Sequence, residues 1–381
     1  MKVDRELPDG WEWTKIGDII NTISSGKKNL KTDGYEDVGD LPIIDQGQTL
    51  IAGYTNDKTH CVGCDLPVII FGDHTKIAKY IDFPFAVGAD GTKILTTSRL
   101  DIDLKYLYYM IRSIKYPYEG YARFFKYLKE AIVPVPPFKV QHKIVEILDS
   151  IEEIKCLQAD ANSISNQIIQ SAFLEMFGDP VINPRGWSTE KLEKLCLNIF
   201  GGGTPSKSIS EYYEGKIPWV TPKDMKQDFI LDSIDHISEK AIKESSTKLI
   251  PPNSLLMVIR SGILKTKLPV AINVCEVTMN QDMKAFVFDD KLTNSQFMLH
   301  FFKIYQRYLL NRVRSVTADN LEFSQIKNID VILPPIELQQ KFADFARFIE
   351  EIKCSQKNST VIVNEMYNQI LDKAFKGELV C

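Results

Sequence analysis

The chain has no apolar run approaching the roughly 20 residues needed to span a bilayer. Its first residues, Met1 to Leu7, are charged, so a secretory leader is not expected. Cysteine is sparse and odd in number: Cys61, Cys64, Cys156, Cys196, Cys275, Cys354 and Cys381. Such a scattered set makes no disulfide framework; free thiols in a reducing cytoplasm are expected.

The strings that nucleotide or cofactor chemistry requires are also missing. Ser25-Gly26-Lys27-Lys28 lacks the earlier glycine of a phosphate loop. Gly201-Gly202-Gly203-Thr204-Pro205 has the wrong spacing, and a proline, for a dinucleotide-binding turn. No Asn-Pro-Pro-Tyr or Asp-Pro-Pro-Tyr of amino-methyltransferases occurs, because the Pro-Pro pairs follow Val135 and Leu333. Cys61-Val62-Gly63-Cys64, with His60 and His74 near, is half of a zinc site, and no second pair stands at suitable spacing. No catalytic residue, metal ligand or cofactor of its own is therefore assigned to the chain.

Acidic residues outnumber basic ones, giving a net charge of −4. The total hides a division: residues 1–137 and 182–335 hold 37 of the 46 Lys and Arg. A local basic face in those segments, rather than the sum, decides whether nucleic acid binds.

What is present is a repeat. Pro8-Asp9-Gly10-Trp11 returns as Pro184-Arg185-Gly186-Trp187, and Pro136-Pro137 returns as Pro334-Pro335. Ile151-Glu152-Glu153-Ile154-Lys155-Cys156 is identical to Ile349–Cys354, at the same shift of 198 residues. Asn166-Gln167-Ile168 and Ala172-Phe173 return as Asn368-Gln369-Ile370 and Ala374-Phe375 at a shift of 202. The second copy has thus gained four residues, close to one helical turn. The division that follows is 1–137, 138–181, 182–335 and 336–381.

After each Pro-Pro the apolar spacing turns helical. Val140, Ile144, Ile147, Ile151 and Ile154 step by four and three, as do Leu338, Phe342, Phe345, Ile349 and Ile352. That is a heptad seam, entered at a proline pair that suits only a first turn. Each helix should run about 40 residues, or about 60 Å at 1.5 Å per residue. Antiparallel packing of the two would close the chain into a pseudo-two-fold circle. Leu148, Leu157, Ile169, Leu174 and Phe177 lie off the first seam, and Phe348, Val363 and Leu371 off the second. So wide a stripe implies further packing partners, either the globular segments or helices of another protein. Leu148, Leu157, Phe348 and Val363 are the expected partner-binding positions.

The two globular segments read as mixed and β-rich, so the fold class is α+β. Short apolar runs such as Leu66–Phe71 and Ser254–Ile259 are bounded by Gly, Pro, Asp and Asn. Helices are expected near Leu104–Ile114 and Ser295–Leu310, and Trp11 and Trp187 should pack within their own segments. Basic and aromatic residues alternate over Arg112–Lys129 and again over Lys303–Arg314, a mixture suited to phosphate contact and base reading. The plainer reading of those stretches is a solvated helix face with its aromatics in the core.

This order of parts resembles the specificity subunit of type I restriction–modification enzymes across the whole chain. In the first half the resemblance is carried by Ile44-Asp45-Gln46-Gly47-Gln48, Phe71-Gly72-Asp73-His74-Thr75 and Gly88-Ala89-Asp90-Gly91-Thr92-Lys93. In the second it is carried by Gly202-Gly203-Thr204-Pro205-Ser206, Ile217–Asp224 and Met279-Asn280-Gln281-Asp282. Both Pro-Pro-x-x-x-Gln strings, ending at Gln141 and Gln339, also match. The resemblance implies a non-catalytic subunit with two target-recognition domains, each reading half of a split double-stranded DNA site. It implies long antiparallel helices acting as a ruler between the halves. Two methyltransferase subunits and two endonuclease/translocase subunits would be partners. S-adenosylmethionine, ATP and magnesium would belong to them.

Residue type and loop position nominate Lys27, Lys28, Lys76, Arg123 and Lys126 for DNA contact in the first domain. Lys207, Lys223, Arg260, Arg312 and Arg314 are nominated in the second, with Arg260 as the edge-reading arginine. The alternatives are a solo DNA-specificity subunit of another defence or phase-variation system, and an enzyme with a fused nuclease or methylase.

Overall fold

A computed structural model describes the chain apart from residues 1–5, 26–28, 89–90, 117–119, 121, 314–319 and 380–381, and the side chains of 166 and 311–313. Two compact units emerge: residues 1–159 with 357–381, and residues 160–356. Each takes one half of each of two long helices, α3 (Phe138–Phe177) and α7 (Ile336–Ala374).

The first unit contains β1 (Glu12–Lys15), β2 (Asn21–Ile23), β3 (Leu41–Ile44), β4 (Gly53–Thr55) and β5 (Val68–Gly72). It continues with β6 (Ala78–Ile81), β7 (Ala86–Val87), β8 (Thr92–Thr96), α1 (Leu104–Ser113), α2 (Phe125–Glu130) and β9 (Ile132–Val135). The sheets run β2-β8-β5-β6, β4-β3-β7 and β1-β9. Every residue of the central strand β5 is buried, which is why it reads as a continuous apolar run rather than an alternation.

The second unit contains β10 (Thr189–Lys191), β11 (Cys196–Gly201), β12 (Ile217–Val220), β13 (Phe229–Ile230), β14 (His236–Ile237) and α4 (Glu239–Glu244). Then come β15 (Leu255–Val258), β16 (Val270–Asn273), β17 (Thr278–Met279), β18 (Met283–Phe288), α5 (Ser295–Val313), α6 (Phe323–Lys327) and β19 (Asp330–Ile332). The sheets run β11-β18-β15-β16-β13, β14-β12-β17 and β10-β19. Apart from β13, this is the strand order of the first unit met again. The protein is a mixed α/β chain whose two domains repeat one topology, although their interiors share little sequence.

The proline pairs and their glutamines explain how each long helix begins. Gln141 and Gln339 are both fully buried. Gln141 Oε1 accepts from Asp103 N at 2.8 Å, and its Nε2 donates to the carbonyls of Asp101 (2.8 Å) and Pro136 (2.9 Å). Gln339 Oε1 accepts from Asn294 N (3.1 Å) and Thr293 Oγ1 (3.0 Å) while its Nε2 donates to Pro334 O (2.9 Å). Asp103 and Asn294 are themselves the N-caps of α1 and α5, accepting from Lys105 N and Gln296 N. One buried amide thus joins the first turn of the long helix to the cap of the shorter one.

Each long helix is followed by a glycine in the left-handed region, Gly178 (φ +79°) after α3 and Gly377 (φ +71°) after α7. A Cβ at Gly178 would overlap Pro184, and one at Gly377 would overlap Pro8. Trp187 Nε1 donates to Phe177 O at 3.0 Å, and both Trp11 and Trp187 pack against their own cores.

In the second unit the two helix segments run in opposite senses. Ser165 Oγ lies 3.2 Å from Gln356 Oε1, while Phe173 and Phe177 meet Phe342 at ring-centroid distances of 5.4 and 5.5 Å. Phe297 from α5 joins them, stacked 5.4 Å from Phe173.

The heptad expectation needs correcting in two places. Leu148, expected off the seam and available to a partner, is completely buried with Ile144 and Ile151 in the first unit's core. Ile154, expected on the seam, is 45% exposed. Leu148 is buried because near its start α3 packs on its own globular domain as well as on α7, so a third surface widens the buried stripe.

Candidate nucleic-acid interface

In the first unit a parallel pairing, β3 with β7, sends two chain segments out side by side. Gly88 N donates to Ile44 O at 2.9 Å, and beyond that point Asp45–Gln48 leaves β3 as a loop. The end of β5 delivers a third loop, since Asp73 N donates to Gly91 O at 2.7 Å. His74 N then donates to Gln46 Oε1 at 3.2 Å, so all three family-like strings converge. Gly91 lies at φ +89°, where a Cβ would come within 2.9 Å of His74 Cδ2 and 3.0 Å of Gln46 Nε2.

A fourth segment is tied to the same place. Asp73 O accepts from Phe124 N (2.7 Å), and its Oδ1 accepts from Phe125 N (2.9 Å). His74 Nδ1 lies 3.2 Å from Ala122 O; a carbonyl can only accept, so Nδ1 carries the proton. Lys79 is buried and donates from Nζ to Asp45 O at 2.8 Å, holding the Asp45 loop. Burial lowers its pKa, with Asp45 opposing.

The second unit builds the same junction from other side chains. The parallel pair is β12 with β17, and Asn280 N donates to Val220 O at 3.0 Å. Ile259 N and Arg260 N both donate to Asp282 O, at 2.8 and 3.2 Å, and Leu321 N donates to Ile259 O at 2.8 Å. Asn280 Nδ2 donates to Asp282 Oδ2 at 3.0 Å, and Asp282 Oδ1 lies 3.8 Å from Arg260 Nη1. A Cβ at Gly202 would overlap the carbonyl of Asn280, and Thr204 Oγ1 bonds to Gln281, so Gly202–Ser206 joins the cluster. Thr221 N and Oγ1 donate to Asp224 Oδ2, each at 2.8 Å, which shapes the loop bearing Lys223.

Of the nominated cations, Lys76, Arg123 and Lys126 surround one junction. Lys76 Nζ stands 4.3 Å over the Phe124 ring, and Arg123 and Lys126 are exposed on the segment that Asp73 ties down. Lys207, Lys223 and Arg260 are exposed on loops of the other junction, Arg260 with 59% of its side chain accessible. Lys27, Lys28 and Arg314 lie outside the described residues. Arg312 is in the last turn of α5, and its side chain also lies outside them. Gln46, His74, Asn280 and Asp282 are absent from the residues nominated for DNA contact, although all four stand in the strings that carry the resemblance.

The other nominated surface divides. Leu157 and Phe348 are 61% and 59% exposed, Val363 is half-buried against the first unit's core, and Leu148 has no accessible surface. Cys61 and Cys64 pack at the edges of small apolar clusters, and burial pushes the Cys64 thiol above its ordinary range. Among the described residues no helix is long and apolar enough to cross a membrane.

Comparison with known proteins agrees with this geometry. Residues 8–166 and 184–361 match the family described as type I restriction modification DNA specificity domain. The chain is 34% identical over 305 residues to the type I restriction enzyme EcoR124I/EcoR124II specificity subunit of Escherichia coli, covering 75% of this chain and 74% of that protein. It is 30% identical over 199 residues to the MjaIX specificity subunit of Methanocaldococcus jannaschii, covering 51% and 44%. A solved S subunit of a type I system from M. genitalium superimposes with a TM-score of 0.60 at 15% identity, covering 98% of each chain. Another chain, solved in work on assembly and conformational transition of a type I system, gives 0.59 at 17% identity over 98% and 100%. The chain belongs to the family of type I restriction–modification specificity subunits, and its two DNA-recognition domains are the two halves of its repeat.

Proposed function

We propose that this chain is the non-catalytic DNA-binding subunit of a type I restriction–modification complex and reads an asymmetric target split into two half-sites. One observation carries the reading: the same loop junction is built twice, with Gln46 and His74 in one domain and Arg260, Asn280 and Asp282 in the other. A scaffold kept twice with unlike side chains suits two unlike DNA words. Lys76, Arg123, Lys126, Lys207 and Lys223 would anchor phosphates, and Arg260 would reach a base edge. Lys27, Lys28, Arg312 and Arg314 join them by residue type alone.

In this reading α3 and α7 are antiparallel coiled-coil spacers that close the chain into a pseudo-two-fold circle. The matched Gly178–Pro184 and Gly377–Pro8 contacts support that closure, as do the opposed helix segments of the second unit. A rigid spacer selects the gap between half-sites, because two readers must face the duplex at a set separation. Exposed apolar side chains on the helices, Leu157 and Phe348 among them, would dock two methyltransferase subunits, and two endonuclease/translocase subunits would complete the complex. S-adenosylmethionine, ATP and magnesium would act on those partners, in the cytoplasm. Genome-wide methylation mapping of the host, with and without this gene, tests the proposal. The expected result is loss of methylation at one split asymmetric sequence, and unchanged methylation would refute it.

A further inference from the structure

Backbone hydrogen bonds put the two junctions into register without any appeal to sequence similarity. In the first unit Asp73 N donates to Gly91 O, and Phe124 N donates to Asp73 O. In the second Ile259 N donates to Asp282 O, and Leu321 N donates to Ile259 O. The parallel pairs agree, since Gly88 N reaches Ile44 O just as Asn280 N reaches Val220 O. Position 73 therefore corresponds to 259, 91 to 282, and 124 to 321. The residues that follow directly, His74 and Arg260, occupy one and the same place in the two domains.

We infer that positions 74 and 260 are a single specificity-determining position built twice, at which His74 reads a base of the first half-site and Arg260 a guanine of the second. The inference rests on the split-site reading above and assigns its words to residues. Each side chain sits where three loops and the segment before α2 or α6 meet. Each is held from its own domain: His74 by Gln46 Oε1 at its N–H and by Ala122 O at Nδ1, Arg260 by Asp282 at its N–H and its guanidinium. A guanidinium steadied from one side presents its remaining donors as a fork, and guanine alone offers two acceptors, O6 and N7, in the major groove. An imidazole has no such fork. The two domains therefore meet different bases through one backbone.

The test is selection of bound duplexes from a library with two randomised half-sites, using the full chain with its methyltransferase subunit. Arg260→Lys keeps the charge and loses the fork. It should lower discrimination at one position of one half-site by roughly 5- to 150-fold while leaving the other half-site unchanged. His74→Arg should bring a guanine preference into the other half-site at the corresponding position. The untouched half-site reports in each case that the protein is folded and bound. A variant that weakens binding evenly over all sequences, or shifts neither half-site, would overturn the inference and leave the split-site reading standing. A wild-type complex that selects no split sequence would overturn both.

Discussion

The side-chain oxygen of Gln141 accepts a 2.8 Å hydrogen bond from the backbone N–H of Asp103, and Asp103 in turn caps α1. With both partners of its Nε2 in place as well, this one amide satisfies three main-chain groups at the start of α3, of which the carbonyl of Pro136 is buried. Gln339 repeats the arrangement at Asn294.

Replacing Gln141 with leucine removes the partners of those groups and gives none back. The expected loss is about 1–3 kcal/mol per group left unsatisfied, felt in the first unit, and Gln339→Leu should act likewise on the second. Chemical denaturation followed by tryptophan fluorescence measures it. A midpoint unchanged in both variants would show that the clamp carries no stability.

Phe173 touches Phe177, Phe297 and Phe342, and it is fully buried. Phe173→Ala should cost about 3–5 kcal/mol, since the ring's neighbours come from several elements and cannot all close on the void. A shift under about 1 kcal/mol in thermal or chemical unfolding would contradict the packing described.

Leu148 and Leu157 stand on one helix and should behave oppositely. Leu148→Asp puts a charge into the core and should unfold the first unit. Leu157→Asp and Phe348→Asp alter exposed positions, so stability should hold within about 0.5 kcal/mol while co-purification with the methyltransferase falls. Undiminished co-purification of both exposed variants would remove these residues from the docking surface.

His300 is buried beside Phe342, and burial, helped by Lys303 and Lys353 and opposed by Asp228, lowers its pKa from 6.5 to about 3. The folded protein keeps the ring neutral, whereas the unfolded chain protonates it below pH 6.5. Stability from this residue is therefore complete above pH 6.5 and is lost as pH falls from there towards about 3. His300→Gln should flatten that part of the stability–pH curve. Parallel curves for the two proteins would refute the burial effect.

The second helix holds four more residues than the first between Cys354 and Asn368. Deleting four residues there should change the preferred gap between half-sites or disrupt assembly with the methyltransferase. Gap selection on duplexes of varied spacer length reads the first outcome, and an unaltered gap with intact binding would rule out a ruler role for that segment.

The long helices were legible because their signal is local. An apolar step of four and three, a proline pair in front and a glycine behind fix an amphipathic helix from residues already adjacent in the chain. The strings around Gln46, His74 and Asn280 were legible as strings, but not as a site. Their meeting depends on the parallel pairings Ile44↔Val87 and Val220↔Met279, which join residues far apart in sequence. Local periodicity carries no record of such pairing.

Leu148 shows the same limit from the other side. A heptad rule sorts helix positions by one partner, while the burial of Leu148 depends on a domain surface that only folding brings against α3. The sequence alone determined the duplication, the two helices and the absence of familiar catalytic strings, since each is written in neighbouring residues or in direct repetition. The tertiary structure alone decided which loops converge, that His74 and Arg260 hold one position, and which helix residues remain exposed. Those properties arise from contacts between distant segments, whose geometry is settled only when the core closes.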